Sequence, residues 1–274
     1  MSDIKLIAFD LDGTLLNDRK ELSEINRRAL LDAADKGIEL VPATGRFSGA
    51  MPEFFRELPI RYVIYMNGAQ ICDMQEDRVL DEVLVPWEQG IEIFRYFDWL
   101  PVLYDCYVDN RAYMSKAFRP HIEEYALNEH FLWMMRDLRT TVPELKEFLA
   151  QTQHGIQKLQ AYFRPQEYPL RAQLLEHLKI PGIAISSSLP NNMELNHAEA
   201  AKGHALQKLT KLLDIPIEAT MAFGDGSNDV TMLRMAGLGV AMANGCEAAQ
   251  RNADYVTLDC NESGVGAAIR RYCL

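Results

Sequence analysis

The sequence predicts an α/β protein with a doubly wound parallel sheet, interrupted by an inserted α+β domain. Three observations predict it: an opening that alternates strand and helix, a return of that alternation late in the chain, and a middle stretch in which the order changes. At 274 residues and 48% hydrophobic, the chain is long enough for one large domain or two ordinary ones.

"KLIAF" (5–9) is a continuous apolar run of the kind buried on both faces of a parallel sheet. A helix follows, with Ser23 as N-cap and Gly37 placed for the left-handed residue past its C-terminus. "IELVPAT" reads as a second strand, the Phe- and Leu-containing stretch through Leu58 as a helix, and "YVIYMNG" as a third strand of a βαβαβ unit. From Ala69 the regularity breaks: "AQICD" and "RVLDEV" read as a hairpin. Helix, two strands joined by Asp109-Asn110, helices, strand, helix and strand then follow as far as Pro190. Alternation resumes with helix 201–215, strand 220–225, helix 228–237, strand 239–244, helix 246–253, strand 255–259 and a last helix from Gly264. The expected organisation is a discontinuous core of 1–85 and 190–274, with an inserted domain of 86–189.

Charge and composition exclude several classes. With 28 Lys and Arg against 39 Asp and Glu, the net charge of −11 argues against nucleic acid and against a polybasic membrane surface. No apolar stretch reaches the length of a membrane span, and the strand beginning near Lys5 leaves no room for a signal peptide. Five scattered cysteines with no C-x-x-C pair read as reduced thiols, so the expected compartment is cytoplasmic.

Asp10 and Asp12 stand where the first strand ends, at the carboxyl edge where open α/β sheets place their sites. Clustered carboxylates are costly unless their charge is compensated, and a hard divalent cation such as Mg2+ compensates it. A second apolar strand runs into Asp225, with Asn228 and Asp229 opening the next helix. Thr44, Gly45 and Arg46 offer a hydroxyl, a closely approachable backbone and a cation, all suited to a phosphate. Lys202 at a helix start adds a positive charge that can hold a phosphate and offset the acids. Arg46 and Asn67-Gly68 are candidates to face the substrate, although Asn-Gly reads first as a turn, and His197 reads as an ordinary histidine.

D-x-D-G-T at 10–14, T-G-R at 44–46, K-G at 202–203 and G-D-x-x-N-D at 224–229 resemble the four ordered motifs of the haloacid dehalogenase superfamily of phosphotransferases. The place and size of the insert resemble the Cof-type, sugar-phosphatase-like branch. The resemblance implies a Rossmann-like core with an α+β cap that carries specificity, where Lys158, Arg164 and Arg171 are among many basic candidates. It implies Asp10 as the nucleophile that forms an aspartyl-phosphate, and Asp12 as the acid and then the base. Mg2+ is implied on Asp10, the main-chain carbonyl of Asp12 and Asp225, with Asp229 close to its water shell. The phosphoryl group is implied on the Leu11 and Asp12 N–H groups, Thr44, Gly45, Lys202 and Asn228. Phe47 departs from the pattern, since many relatives have proline there.

The expected activity is hydrolysis of a small phosphorylated metabolite, a sugar phosphate or similar monoester. A phosphomutase using the same aspartyl-phosphate is the alternative. A phospho-acceptor switch without turnover is a third reading, against which the long insert counts.

Overall fold

In the computed structural model, which describes residues 3–274, the opening apolar run forms β1 (Leu6–Phe9), buried throughout. Helix α1 (Glu24–Asp35) begins where Ser23 Oγ accepts the Asn26 N–H and ends before Gly37, at φ +81°. β2 (Glu39–Pro42) lies parallel to β1, with Phe9 opposite Pro42.

The helix expected through Leu58 does not form. Two short 3-10 turns, Ser48–Ala50 and Glu53–Glu57, stand in its place. Pro52 separates them, and the residue before it, Met51, is extended as a proline requires. β3 (Tyr62–Tyr65) also departs from expectation. It meets the parallel sheet only through a single bridge between Ala43 and Ile64, and instead forms a three-stranded sheet with β4 (Gln70–Asp73) and β5 (Arg78–Glu82). The cause is a tight reversal at Met66, Asn67 and Gly68, all with positive φ, which folds β4 back antiparallel onto β3.

The inserted stretch runs α2 (Trp87–Phe97), β6 (Leu103–Val108), β7 (Arg111–Ser115), α3 (Glu129–Asp137), β8 (Arg139–Val142), α4 (Leu145–Thr152), β9 (Lys158–Tyr162), α5 (Tyr168–His177), β10 (Ile183–Ser186) and β11 (Asn192–His197). The six strands make one sheet, ordered β10-β11-β9-β6-β7-β8 and antiparallel except for β7 with β8. Asp109 and Asn110, both at positive φ, make the two-residue turn that joins β6 to β7. Alternation divides this sheet. Tyr104, Cys106, Leu159, Ala161, Met193 and Leu195 pack with Phe94, Phe97, Leu145 and Leu149. The residues between them are polar and buried: Asp105, Tyr107, Lys158, Gln160, Asn192 and Glu194.

The chain then forms α6 (Lys202–Leu212), β12 (Thr220–Gly224), α7 (Val230–Met235), β13 (Leu238–Ala241), α8 (Glu247–Arg251), β14 (Tyr255–Val256) and α9 (Gly264–Tyr272). The parallel sheet is ordered β14-β13-β12-β1-β2, the doubly wound arrangement expected. Leu206 and Leu209 of α6 and Met232 of α7 cover one face, against Leu6, Ala8, Val41 and Ala222. Helices α1 and α9 pack together, close enough that Asn26 Oδ1 accepts the Gly266 N–H at 2.8 Å.

Two compact units result. One comprises the chain through Gly45, Pro52–Asp81 and Ala201–Leu274; the other comprises Arg46–Met51 and Glu82–Ala200. The inserted unit thus extends beyond Pro190, because β11 pairs with β9 and β10. No disulfide joins the five cysteines. Among the described residues, no helix is long and apolar enough to cross a membrane.

Candidate active site

Three adjacent strand ends build the site. Phe9 of β1 stands opposite Phe223 of β12, so Asp10 and Asp225 leave the sheet side by side, and the Asp10 N–H still donates to the Phe223 carbonyl at 3.0 Å. On the other flank, the Ala43 N–H donates to the Phe9 carbonyl, and Thr44 follows it, buried. Gly13, at φ +82°, lets the chain turn directly under Asp225; a Cβ there would stand 2.6 Å from Asp225 Oδ2. The next residue, Thr14, donates its hydroxyl to Asp225 Oδ1 at 2.7 Å.

Lys202 is the cation of the cluster. As the first residue of α6 it is fully buried, and its Nζ donates to Asp10 Oδ1 at 2.7 Å and to Asp229 Oδ1 at 2.6 Å. Asp229 Oδ2 accepts the Asp225 and Gly226 N–H groups, each at 2.9 Å, which holds the loop after β12 in place. Gly203 allows this approach of α6, since a Cβ there would stand 2.5 Å from the Thr231 carbonyl.

The electrostatics follow from burial. It pushes the Asp10 carboxyl up to about 8, against the pull of Lys202 and with the added push of Asp229 and Asp225. Burial and Asp229 raise Asp225 to about 6, opposed by the Thr14 hydroxyl and Lys202. Burial pulls the Lys202 ammonium down, but Asp10 and Asp229 more than offset it and hold it above the ordinary lysine value.

One oxygen from each of Asp10, Asp225 and Asp229 lies within 4.8 Å of the others. An all-oxygen set with more negative charge than Lys202 can neutralise suits a hard divalent cation. The Asp12 side chain is not one of these three: it pairs with Lys20 Nζ at 2.9 Å, both being partly exposed, and its charge adds to the push on Asp225. Leu11 is buried, and its carbonyl accepts the Thr14 and Leu16 N–H groups.

Thr44, Gly45 and Asn228 come together at Asn67. Its N–H donates to the Thr44 carbonyl at 3.0 Å, and its Oδ1 accepts from Asn228 Nδ2 at 3.0 Å. Thr14 and Lys20 are therefore neighbours outside the expected set of site residues, and Asn67, expected first as a turn, joins them. Thr14 was visible as the last letter of D-x-D-G-T; Lys20 carried no signal. Arg46 falls in the other unit and donates to the Ala50 carbonyl. The basic residues named in the insert are engaged within it: Lys158 with Glu194, Arg164 with Glu124 and Glu167, and Arg171 with the Asn192 carbonyl.

Residues 7–269 match the family model described as haloacid dehalogenase-like hydrolase. The chain belongs to the haloacid dehalogenase-like hydrolases. Among its relatives in this family is the Bacillus subtilis protein named 5-amino-6-(5-phospho-D-ribitylamino)uracil phosphatase, 33% identical over 99% of this chain and 97% of that one. Another B. subtilis protein, named a phosphatase, is 32% identical over 96% and 97%. Among solved structures, a haloacid dehalogenase-like hydrolase from B. subtilis superposes with a TM-score of 0.81 at 29% identity, over 97% of this chain and 99% of that chain. By this kinship the protein is an enzyme of the phosphatase class.

Proposed function

We propose that this hydrolase is a Mg2+-dependent phosphatase that cleaves a small phosphorylated metabolite through an aspartyl-phosphate on Asp10. The observation that carries the reading is Lys202, buried at a helix start and bonded to both Asp10 and Asp229, with Asp225 beside them at the neighbouring strand end. A buried cation among carboxylates leaves net negative charge for a metal to offset, and the metal and lysine together can hold an anionic phosphoryl group.

Asp10, Asp225 and the Asp12 main-chain carbonyl would hold Mg2+, with Asp229 beside its water shell. Bound there, the ion supplies the charge that lets both carboxylates ionise and that offsets charge on the phosphoryl oxygens. The Asp10 carboxylate attacks phosphorus, the bond to the leaving oxygen breaks, and Asp12 gives that oxygen its proton. Asp12, now a carboxylate, takes a proton from water, whose oxygen attacks phosphorus and releases Asp10 and inorganic phosphate. Lys202, Thr44, Gly45, Asn228 and the Leu11 and Asp12 N–H groups hold the phosphoryl oxygens throughout.

The relative named for 5-amino-6-(5-phospho-D-ribitylamino)uracil supports a phosphomonoester on a polyol or sugar as the substrate class. Phosphate release measured over a panel of phosphorylated metabolites with Mg2+, using Asp10→Asn as the blank, tests the proposal. Release by the wild type and none by the variant is expected; turnover that survives in Asp10→Asn contradicts it.

A further inference from the structure

The turn that reverses β3 into β4 carries more than a change of direction. Met66, Asn67 and Gly68 adopt φ of +49°, +61° and +101°, and all three are buried. Left-handed backbone at successive positions is strained for residues with a side chain and persists only where the surroundings enforce it. These surroundings are three of the four sequence motifs. The Asn67 N–H bonds the Thr44 carbonyl, and its Oδ1 lies 3.0 Å from where a Cβ on Gly45 would stand. That same Oδ1 accepts from Asn228 Nδ2, across 161 residues of sequence. Gly68 backs onto the start of α6 so closely that a Cβ there would stand 2.5 Å from the Ala201 carbonyl and 2.9 Å from the Lys202 nitrogen.

We propose that Asn67 is a positioning residue of the phosphate cradle: its side-chain oxygen fixes the Asn228 amide, and its backbone fixes the Thr44-Gly45 turn. This rests on the assignment of Thr44, Gly45 and Asn228 to a phosphoryl group. The geometry at Asn228 explains the need. Its own oxygen lies against Gly226, where a Cβ would stand 2.5 Å away, so the amide nitrogen faces Asn67. One amide hydrogen bonds Asn67 and the second serves a phosphoryl oxygen. Without an acceptor at Asn67 the amide can rotate and present its oxygen to an anion, which repels.

The residue type follows from two demands. Position 67 needs tolerance of left-handed backbone, which Asn has among residues with side chains, and a neutral acceptor. Glycine meets the first demand alone. Aspartate meets the first and offers an acceptor, but it adds a carboxylate to a site that already holds Asp10, Asp225 and Asp229.

Asn67→Gly isolates the side chain, because glycine suits the backbone angle. Binding of inorganic phosphate in the presence of Mg2+, measured by titration calorimetry and by product inhibition, gives the readout for Asn67→Gly, Asn228→Ala and the double variant. Thermal unfolding confirms that each is folded. We expect each single variant to lose about tenfold in phosphate affinity, as for one hydrogen bond to a charged group, and the double variant to lose no more than either. Losses that multiply in the double variant, or an Asn67→Gly that binds phosphate normally, overturn the proposal. If Asn228→Ala alone binds phosphate normally, the cradle assignment is wrong and this inference fails with it.

Discussion

Asp10→Asn removes a charge that the fold holds unfavourably, so the metal-free variant gains stability at alkaline pH. Burial raises the Asp10 carboxyl from an ordinary 3.8 to about 8. A carboxyl raised in the folded state contributes stability that is complete below the unfolded value and is lost as pH climbs through the folded one, because the unfolded chain releases a proton that the native state keeps. Asp225, raised to about 6, adds to the loss over the lower part of that window. Each proton so retained corresponds to a slope of about 1.4 kcal/mol per pH unit. Asparagine at position 10 has no proton to lose, and the value of about 8 for Asp10 already includes the pull of Lys202. The variant should exceed the wild type at pH 8 by at least one unit's worth, about 1.4 kcal/mol. Urea unfolding with a chelator present, from pH 4 to pH 8, measures this: the two proteins lie close near pH 4 and separate above it. On the proposed metal assignment, added Mg2+ reverses the order at pH 8, because only the wild type would keep the full set of ligands. Wild-type stability that is flat or rising over this range, or a variant that is less stable at pH 8, refutes the reasoning.

Two further predictions concern the scaffold. Gly203→Ala drives a methyl into the Thr231 carbonyl, from which a Cβ would stand 2.5 Å, so α6 must move from α7 and carry Lys202 with it. A stability loss of about 1–3 kcal/mol by urea unfolding and a drop in phosphate release are expected. In the inserted unit, Arg139 is buried and donates to Asp105 at 3.0 Å and to the Tyr107 and Tyr162 hydroxyls at 2.8 and 3.0 Å. Arg139→Met removes the direct ion-pair partner of the fully buried Asp105, leaving it the Tyr162 hydroxyl and the charge of Lys158, and should cost about 3 kcal/mol at neutral pH, with partial recovery as acid protonates Asp105.

The core was legible because its signals are local. "KLIAF" and "TMAFGD" are apolar runs that end in acid, and in a parallel sheet such runs place Asp10 and Asp225 together at one edge. Lys202 was legible from its place at a helix start within an ordered set of motifs. Three features were not, each for a physical reason. The helix expected before Leu58 fails at Pro52, whose effect on Met51 outweighs the apolar pattern. β11 reads as polar because Asn192, Glu194 and Asn196 alternate along it, and partners that meet only on folding, Lys158 and Gln160 of β9 among them, make Glu194 at home in a sheet. Asn67 and Lys20 act through contacts that no local pattern encodes: one reaches Asn228 and the other Asp12 only once the chain has folded.

The central claim is that Asp10 becomes phosphorylated during turnover. Rapid acid quench after mixing the protein with Mg2+ and a phosphorylated substrate, followed by mass spectrometry of the peptide that contains Asp10, tests it directly. The account predicts a transient phosphoryl group on Asp10 in the wild type, its accumulation in Asp12→Asn, and its absence in Asp10→Asn. Phosphate release with no phosphorylated Asp10 in either the wild type or Asp12→Asn, or with the phosphoryl group on another residue, contradicts it.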